Sequence, residues 1–206
     1  MKNYCTYGLF LFAIVLLSLQ PSIAQDKPPT ETMAAAKKLT TYYAAAKSEN
    51  SVESKEQFFE AFPSTFLSFV NIYGFSDEDG FKQHVLYEVY HPHLEFFCSL
   101  KNTIPKKSYY EKLIGLSING HWEADAVGLL QNCLEESIKE DLSMIISILE
   151  NHSDREVSSF WYFLFDGPHP PKNMPLAINK AGEVNAHMAD LAKAAFLNVQ
   201  ENAKLH

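Results

Sequence analysis

Apolar side chains that recur every three or four residues dominate this sequence, and this spacing constrains the fold more than any other feature. The longest such run begins after Trp122 and continues to Leu149. A period near 3.6 places these side chains along one face of an α-helix. The residues that mark this face are Ala126, Leu129, Leu130, Cys133, Leu134, Ile138, Leu142, Ile145, Ile146 and Leu149. The run therefore predicts one long amphipathic helix.

Shorter segments repeat this pattern between helix-breaking residues. Aromatic and apolar residues recur at helical spacing from Phe58 to Tyr73, and Pro63 is expected to kink or restart that helix. Other helices are predicted over residues 81–90, 94–102, 105–118 and 184–199. No segment shows the alternation of apolar and polar residues that is typical of a strand. We therefore predict an all-α domain of six to eight helices, either a compact bundle or a curved array of antiparallel helix pairs.

The densest aromatic stretch runs from Ser159 to Phe165 and leads into a proline-rich turn. Ser153 and Glu156 have the spacing of a capping box, which predicts the start of this helix. The sequence Asp166-Gly167-Pro168 predicts its end. Because residues 167–175 include four prolines, this run is expected to be neither helical nor a central strand.

The first 24 residues have the features of a secretory signal peptide. Lys2 precedes an apolar run over residues 7–19 that is too short to span a bilayer as a helix, and small residues stand at Ser22 and Ala24. A short membrane anchor is the alternative. We predict a signal peptide over 1–24, a flexible or loosely docked segment over 25–50 and a helical domain over 51–206. The mature protein is expected to be secreted or periplasmic, without membrane insertion after cleavage.

The charge of the chain restricts its partners. The formal net charge is −8, and removal of the predicted leader takes away one more lysine. An acidic chain repels phosphates, which argues against nucleic acid and anionic lipid surfaces and favours a basic protein partner. Arg155 is the only arginine, so no arginine cluster for phosphate or carboxylate recognition is available.

Two cysteines remain after the predicted cleavage. Cys98 and Cys133 both lie in apolar helical segments. In an oxidising compartment an even pair can form a disulfide, and two buried free thiols are the alternative.

The sequence His91-Pro92-His93-Leu94-Glu95 contains residue types that bind metals. On a helix His91 and Glu95 would share a face, and in an extended bend His91 and His93 would both reach one ion. The alternative is a helix junction with polar surface groups. Since the HExxH motif of zinc hydrolases is missing from the sequence, we predict no cofactor and keep a metal-dependent hydrolase as the alternative function.

Two other clusters carry carboxylates beside histidines. His121, Glu123 and Asp125 stand at a predicted helix start, where acidic side chains favour the positive end of the helix dipole. Asp166 and His169 have a spacing that allows a carboxylate–imidazole contact across the turn, although no nucleophile motif accompanies them. Trp161 and Tyr162 precede this turn and are of the types that form protein-binding hot spots. The candidate binding residues are therefore Trp161, Tyr162, Asp166 and His169.

The pieces SFWYFLFDGPHP and GHWEADAV resemble small secreted helical proteins of Gram-negative bacteria, some of which act as periplasmic immunity proteins against antibacterial effectors. This resemblance covers most of the mature chain and rests on structural motifs, so it implies no active-site residues. It implies an exported, non-enzymatic binding protein of the immunity type that neutralises a toxin. The alternatives are a metal-dependent hydrolase and a small-ligand-binding helical protein with a pocket lined by Trp122 or Trp161.

Overall fold

The computed structural model describes residues 30–76, 82–123 and 125–203, and the predicted signal peptide lies outside them. The described residues form nine α-helices, two short 3-10 helices (Tyr87–Val89 and Leu100–Asn102) and one short β-ladder, which confirms the all-α class. The helices are α1 (Thr30–Glu49), α2 (Val52–Ala61), α3 (Phe66–Tyr73), α4 (Tyr90–Ser99), α5 (Lys106–Ser117), α6 (Asp125–Leu149), α7 (Asp154–Phe165), α8 (Leu176–Val184) and α9 (Ala186–Asn202). None of them is long and apolar enough to cross a bilayer.

Side chains from all nine helices join one hydrophobic core. The centre of its N-terminal part is a layer of stacked aromatic rings. Phe97 of α4 lies parallel to Phe62 with ring centroids 4.2 Å apart, and it also stacks on Tyr109 of α5 at 5.4 Å. Such ring pairs add to the free energy gained by burying their area. The phenylalanine-rich segments therefore form part of this core.

The helix α1, which lies in the segment 25–50, contacts α2 and α4. Leu39 is fully buried, and the ring of Tyr43 lies 5.8 Å from Phe58 and 5.6 Å from Phe96. Ala36 and Ala46 are also buried, because small side chains let the helix approach its neighbours closely. Few large apolar residues are needed when the packing distance between helices is short.

The ends of several helices follow local sequence rules. Pro63 separates α2 from α3, as predicted, and Phe62 before it is extended (φ −65°, ψ 143°). The capping box of α7 is present, since Glu156 accepts a hydrogen bond from the Ser153 N–H at 2.9 Å and the Ser153 hydroxyl accepts one from the Glu156 N–H. The N-cap of α2 is Ser51, whose side chain accepts a hydrogen bond from the Ser54 N–H at 3.1 Å.

The segment over residues 82–90, predicted as part of a helix, is mostly non-helical. It contains β2 (Lys82–Gln83), which pairs antiparallel with β1 (Phe75–Ser76), and the first 3-10 helix. The His84 N–H donates to the Gly74 carbonyl at 3.1 Å and the Leu86 N–H to the Ile72 carbonyl at 2.9 Å. These bonds satisfy carbonyls at the end of α3, which local periodicity does not reveal.

Eight of the nine described helices, α2–α9, lie within the predicted helical domain over 51–206, which agrees with the predicted six to eight, and α1 precedes this domain. The C-terminal region divides into α8 and α9 at Asn185, whose side chain accepts a hydrogen bond from the Met188 N–H at 3.2 Å. The long predicted helix is present as α6, but non-helical dihedrals at Asp141 (φ −148°, ψ 51°) introduce a kink.

Candidate functional site

The turn after α7 is fixed by hydrogen bonds from other parts of the chain. The Trp122 N–H donates to Oδ2 of Asp166 at 2.7 Å, and the Gly167 N–H donates to Oδ1 at 3.0 Å. The amide of Gln131 donates to the carbonyls of Phe163 and Asp166 at 2.6 and 2.8 Å. The Asp166 carboxylate therefore joins the segment before α6 to the end of α7.

The chain also approaches α7 closely next to this junction. A Cβ atom at Gly120 would lie 2.5 Å from the Phe163 ring, so only glycine fits there. Asn119 before it has a positive φ of 58° and follows Ile118, the extended residue that ends α5 where the sequence predicted a stop. Asp166, Gly120 and Asn119 together set the path of the chain between α5 and α6.

The imidazole of His169 is not hydrogen-bonded to Asp166 in the described structure. His169 is exposed and lines a cleft, whereas the two carboxylate oxygens of Asp166 accept from backbone N–H groups. The loop that carries His169 is held on its other side by Gln200, whose amide donates to the Pro171 carbonyl at 2.6 Å. Of the predicted pair, Asp166 therefore has a structural role and His169 lies at the cleft.

This cleft, which we call the α6–α8 cleft, is the strongest candidate for a binding site in the described structure. Its volume is about 350 Å³, which falls in the range of ligand pockets, about 300–1,000 Å³. Its walls come from α6, the end of α7, the proline-rich loop and the start of α8. The apolar lining residues are Ile138, Leu142, Leu164, Phe165, Pro171, Pro175, Leu176 and Ala177, and the polar ones are Glu135, Lys139, His169 and Lys180.

The polar residues of the cleft differ in their interactions. Lys139 lies 2.8 Å from Glu135 one turn earlier on α6, and both side chains are mostly exposed. Neither Lys180 nor His169 forms a side-chain hydrogen bond or ion pair with another described residue. The α6–α8 cleft thus combines an apolar lining with two lysines, one histidine and one carboxylate.

Trp161 is a core residue and does not belong to a binding surface. Its side chain is fully buried, and its indole stacks on Phe165 with centroids 6.0 Å apart. The indole N–H has no hydrogen-bond partner among the described residues. Tyr162 is half-buried, and its hydroxyl accepts a hydrogen bond from Asn202 of α9 at 3.3 Å. Neither Trp161 nor Trp122 lines the α6–α8 cleft, so the prediction of a tryptophan-lined pocket is not met there.

The predicted metal ligands do not converge on one point. His91 and Glu95 lie one turn apart on the exposed side of α4, with Nδ1 and Oε2 3.6 Å apart. His93 is buried, and its Nδ1 shares a 2.9 Å hydrogen bond with the Tyr73 hydroxyl. Pro92 fits in the first turn of α4, so the helix is not broken there. Among the described residues no group of three or more His, Cys, Asp or Glu side chains is placed to hold a metal ion.

Burial of His93 changes its protonation. The ring lies between aromatic neighbours, with centroids 4.3 Å from Tyr43 and 5.9 Å from Tyr73. Burial lowers the pKa of His93 from 6.5 to about 4, and it raises the pKa of Tyr73 well above its usual value. The histidine is therefore neutral at physiological pH.

The acidic residues before α6 have structural partners as well. Glu123 accepts a hydrogen bond from the Phe75 N–H at 3.3 Å, and Asp125, the first residue of α6, accepts one from the Tyr87 hydroxyl at 3.1 Å. The ring of His121 lies 5.0 Å from the Phe66 ring. These contacts join α6 to the β-ladder region and α3, and they do not assemble an acid–base pair.

Cys98 and Cys133 form a disulfide that links α4 to α6, with Cα atoms 5.9 Å apart. The Tyr109 hydroxyl lies 3.2 Å from the sulfur of Cys133. Of the two alternatives that the sequence left open, the structure has the disulfide.

Sequence reasoning missed most of the α6–α8 cleft. Leu176 and Lys180 had no assigned role, and Lys139 was one charged residue among many on α6. A usable signal was the pair Pro175-Leu176, an apolar residue directly after the proline-rich run. Leu176 is the first residue of α8 and is 65% exposed.

Comparison of the chain with protein-family models, with curated proteins and with solved structures found no match.

Proposed function

We propose that this protein is an exported, non-enzymatic binding protein and that the α6–α8 cleft is its binding site. The observation that carries this proposal is the open apolar cleft of about 350 Å³ beside the proline-rich loop. Apolar lining with a few polar groups at its edge is the usual composition of a ligand site.

The interactions of the candidate catalytic residues also favour binding over catalysis. Asp166, Glu123 and Asp125 accept hydrogen bonds that connect segments of the fold. His93 is buried beside Tyr73. A general base must reach the proton it abstracts, and these groups are already engaged in structural contacts.

The rigidity of the cleft walls supports the same proposal. The proline-rich loop is anchored by Gln131 on one side and by Gln200 on the other. A site held in shape before binding loses less conformational entropy when its ligand arrives. An exposed Leu176 at the edge of such a site gains from being covered.

Export is supported by the disulfide between Cys98 and Cys133. Disulfides persist in oxidising compartments such as the periplasm and are rare in the cytosol. This agrees with the predicted signal peptide and with a mature protein that acts outside the cytoplasm.

The proposal is tested with a neutral apolar fluorescent probe, 1-aminoanthracene, titrated into the purified mature protein. We expect saturable binding of one probe per chain. Ala177→Phe, which places a ring in the cleft, should abolish it. Asn179→Phe is the matched control, since Asn179 is exposed on the same helix and does not line the cleft.

Circular dichroism of both variants shows whether α8 is retained. An absence of saturable binding by the wild-type protein would contradict the proposal. Equal binding by a folded Ala177→Phe variant would also contradict it.

A second candidate function is neutralisation of a secreted toxin, as the resemblance to immunity proteins implies. One observation favours it: the ring of Trp122 is 38% exposed next to the Asp166-Gly167 turn, and exposed tryptophans are frequent binding hot spots. The acidic net charge would steer a basic toxin toward the protein.

This second function is tested by capture from periplasmic extract followed by a salt titration of any complex. A basic partner whose binding weakens with salt and is lost in Trp122→Ala is expected. Leu197→Ala is the control, because Leu197 is 49% exposed on α9. A complex that is insensitive to salt, or one retained by Trp122→Ala, would contradict it.

A further inference from the structure

The charge of the α6–α8 cleft is opposite to that of the whole chain. The chain carries a formal charge of −8 with its histidines neutral, and on the same convention the cleft has two lysines, Lys139 and Lys180, against one carboxylate, Glu135. At physiological ionic strength charges are screened over about 8 Å, so a bound molecule responds mainly to the charges that line its site. The two lysines that line the cleft therefore favour a ligand with a negative charge.

We propose that the cleft binds a small amphiphile with a single apolar chain and an anionic head group, a medium-chain carboxylate. This inference rests on the proposed function, because it names the ligand class of the same site. It differs from the expectation of a basic partner, which was drawn from net charge alone.

The arrangement of the lining supports an amphiphile over a purely polar anion. Leu142, Leu164 and Phe165 provide an apolar surface for a chain, and each CH₂ group of the chain that is removed from water there strengthens binding. A carboxylate that entered this apolar region would lose its hydration. The head group is therefore expected to stay at the edge, within reach of the lysines.

The two lysines belong to different walls of the cleft. Lys139 comes from α6 and already lies 2.8 Å from Glu135, whereas Lys180 comes from α8 and forms no ion pair with a described residue. A carboxylate near Lys180 would add the counter-charge that this lysine lacks among the described residues. His169 contributes an N–H donor from the proline-rich loop between α7 and α8.

The volume of the cleft guides the choice of the probe. A volume of about 350 Å³ corresponds to about a dozen groups of the size of a water molecule, since each takes about 30 Å³. A methylene group is of similar size. Dodecanoate is therefore a suitable probe for the cleft.

The experiment compares three probes by isothermal titration calorimetry, each below its critical micelle concentration. They are dodecanoate, dodecyltrimethylammonium, which has the same chain length with a cationic head, and acetate, which lacks the chain. We expect dodecanoate to bind about tenfold or more tightly than the cationic amphiphile, and acetate to show no measurable binding. Added salt should reduce the difference between the two amphiphiles.

Variants locate the head group. The double substitution Lys139→Gln/Lys180→Gln should weaken dodecanoate binding by about three- to tenfold, as expected for two exposed charge pairs. Its affinity for 1-aminoanthracene should not change. Lys193→Gln is the matched control, because Lys193 is exposed on α9 and does not line the cleft.

The outcomes separate the two proposals. If 1-aminoanthracene binds in the cleft but the two amphiphiles bind equally, or the cationic one binds more tightly, the anionic ligand class is overturned and the binding site stands. If neither 1-aminoanthracene nor any amphiphile binds, the proposed function itself is overturned. An unchanged dodecanoate affinity in the double lysine variant would also overturn the inference.

Discussion

Two regions of this molecule contain a histidine beside aromatic or apolar side chains, and they differ in whether the polar groups have partners. His93 is 2% exposed and shares a hydrogen bond with Tyr73 inside the aromatic layer of α1–α4. His169 is exposed at the α6–α8 cleft and forms no side-chain hydrogen bond within the described part of the chain. A polar group with a buried partner stabilises the fold. A polar group that remains open beside apolar surface is available for a ligand.

The same difference is seen in the apolar residues of the two regions. Phe97 is fully enclosed by stacked rings, whereas Leu176 is 65% exposed at the cleft edge. If the first region serves stability and the second serves binding, substitutions in the two regions should affect different measurements.

The largest effect is expected from Phe97→Ala. It should lower the free energy of unfolding by about 3–5 kcal/mol, because it removes a ring that packs against Phe62 and Tyr109 and leaves a cavity. Leu176→Ala should change the free energy of unfolding by less than about 0.5 kcal/mol and should weaken binding of 1-aminoanthracene. Urea unfolding followed by circular dichroism measures both free energies. Similar losses of unfolding free energy in the two variants would contradict the assignment of stability to the first region and binding to the second.

Reduction of the disulfide is expected to have the next largest effect, a loss of about 2–4 kcal/mol of unfolding free energy. The bond joins Cys98 to Cys133, which are 35 residues apart in the sequence, and it therefore reduces the conformational entropy of the unfolded chain. Urea unfolding with and without dithiothreitol measures this loss. The double variant Cys98→Ser/Cys133→Ser is the control and should not respond to the reductant. A wild-type unfolding curve that reductant does not shift would contradict the prediction.

A pH dependence of stability should arise from the buried histidine. The pKa of His93 is lowered to about 4 in the folded protein by burial, compared with 6.5 in an unfolded chain. As the pH falls from about 6.5 to about 4, the unfolded chain takes up a proton at this ring and the folded chain does not. The free energy of unfolding should therefore decrease through this window.

Variants at the two histidines sharpen the comparison. In His93→Phe the decrease between pH 6.5 and 4 should be shallower than in the wild type, because the buried titrating group is gone. His169→Gln should retain the wild-type decrease, since His169 is exposed at the cleft. Thermal unfolding at a series of pH values measures each slope. Equal slopes for His93→Phe and the wild type would assign the effect to other groups.

The sequence predicted the parts of the fold that depend on local interactions. The start of α7 at Ser153 follows from a hydrogen-bonded box within four residues, and the break at Pro63 follows from the geometry of one residue. The segment over residues 82–90 was predicted wrongly as helix, because the N–H groups of His84 and Leu86 donate to carbonyls at the end of α3. Local patterns carry no information on such partners.

The candidate site was only partly predictable for the same reason. His169 was identified from the unusual turn, but the cleft that it lines is closed by residues from α6 and α8 that are distant in sequence. Trp161 was predicted at a binding surface because helical spacing does not show that several faces of α7 are covered; Val157, Phe160, Trp161 and Phe163 are all fully buried. Asp166 was identified as a special residue, and its role proved to be the attachment of the Trp122 backbone.

The central claim, that the open α6–α8 cleft and not the closed aromatic layer is the binding site, is tested most directly by nuclear Overhauser effects between bound 1-aminoanthracene and the methyl groups of the protein. We predict contacts from the probe to the methyl groups of Leu142, Leu176 and Ala177. Contacts only to core residues buried beside the aromatic layer, such as the methyl groups of Leu39 and Leu94, or only to the surface around Trp122, would contradict it.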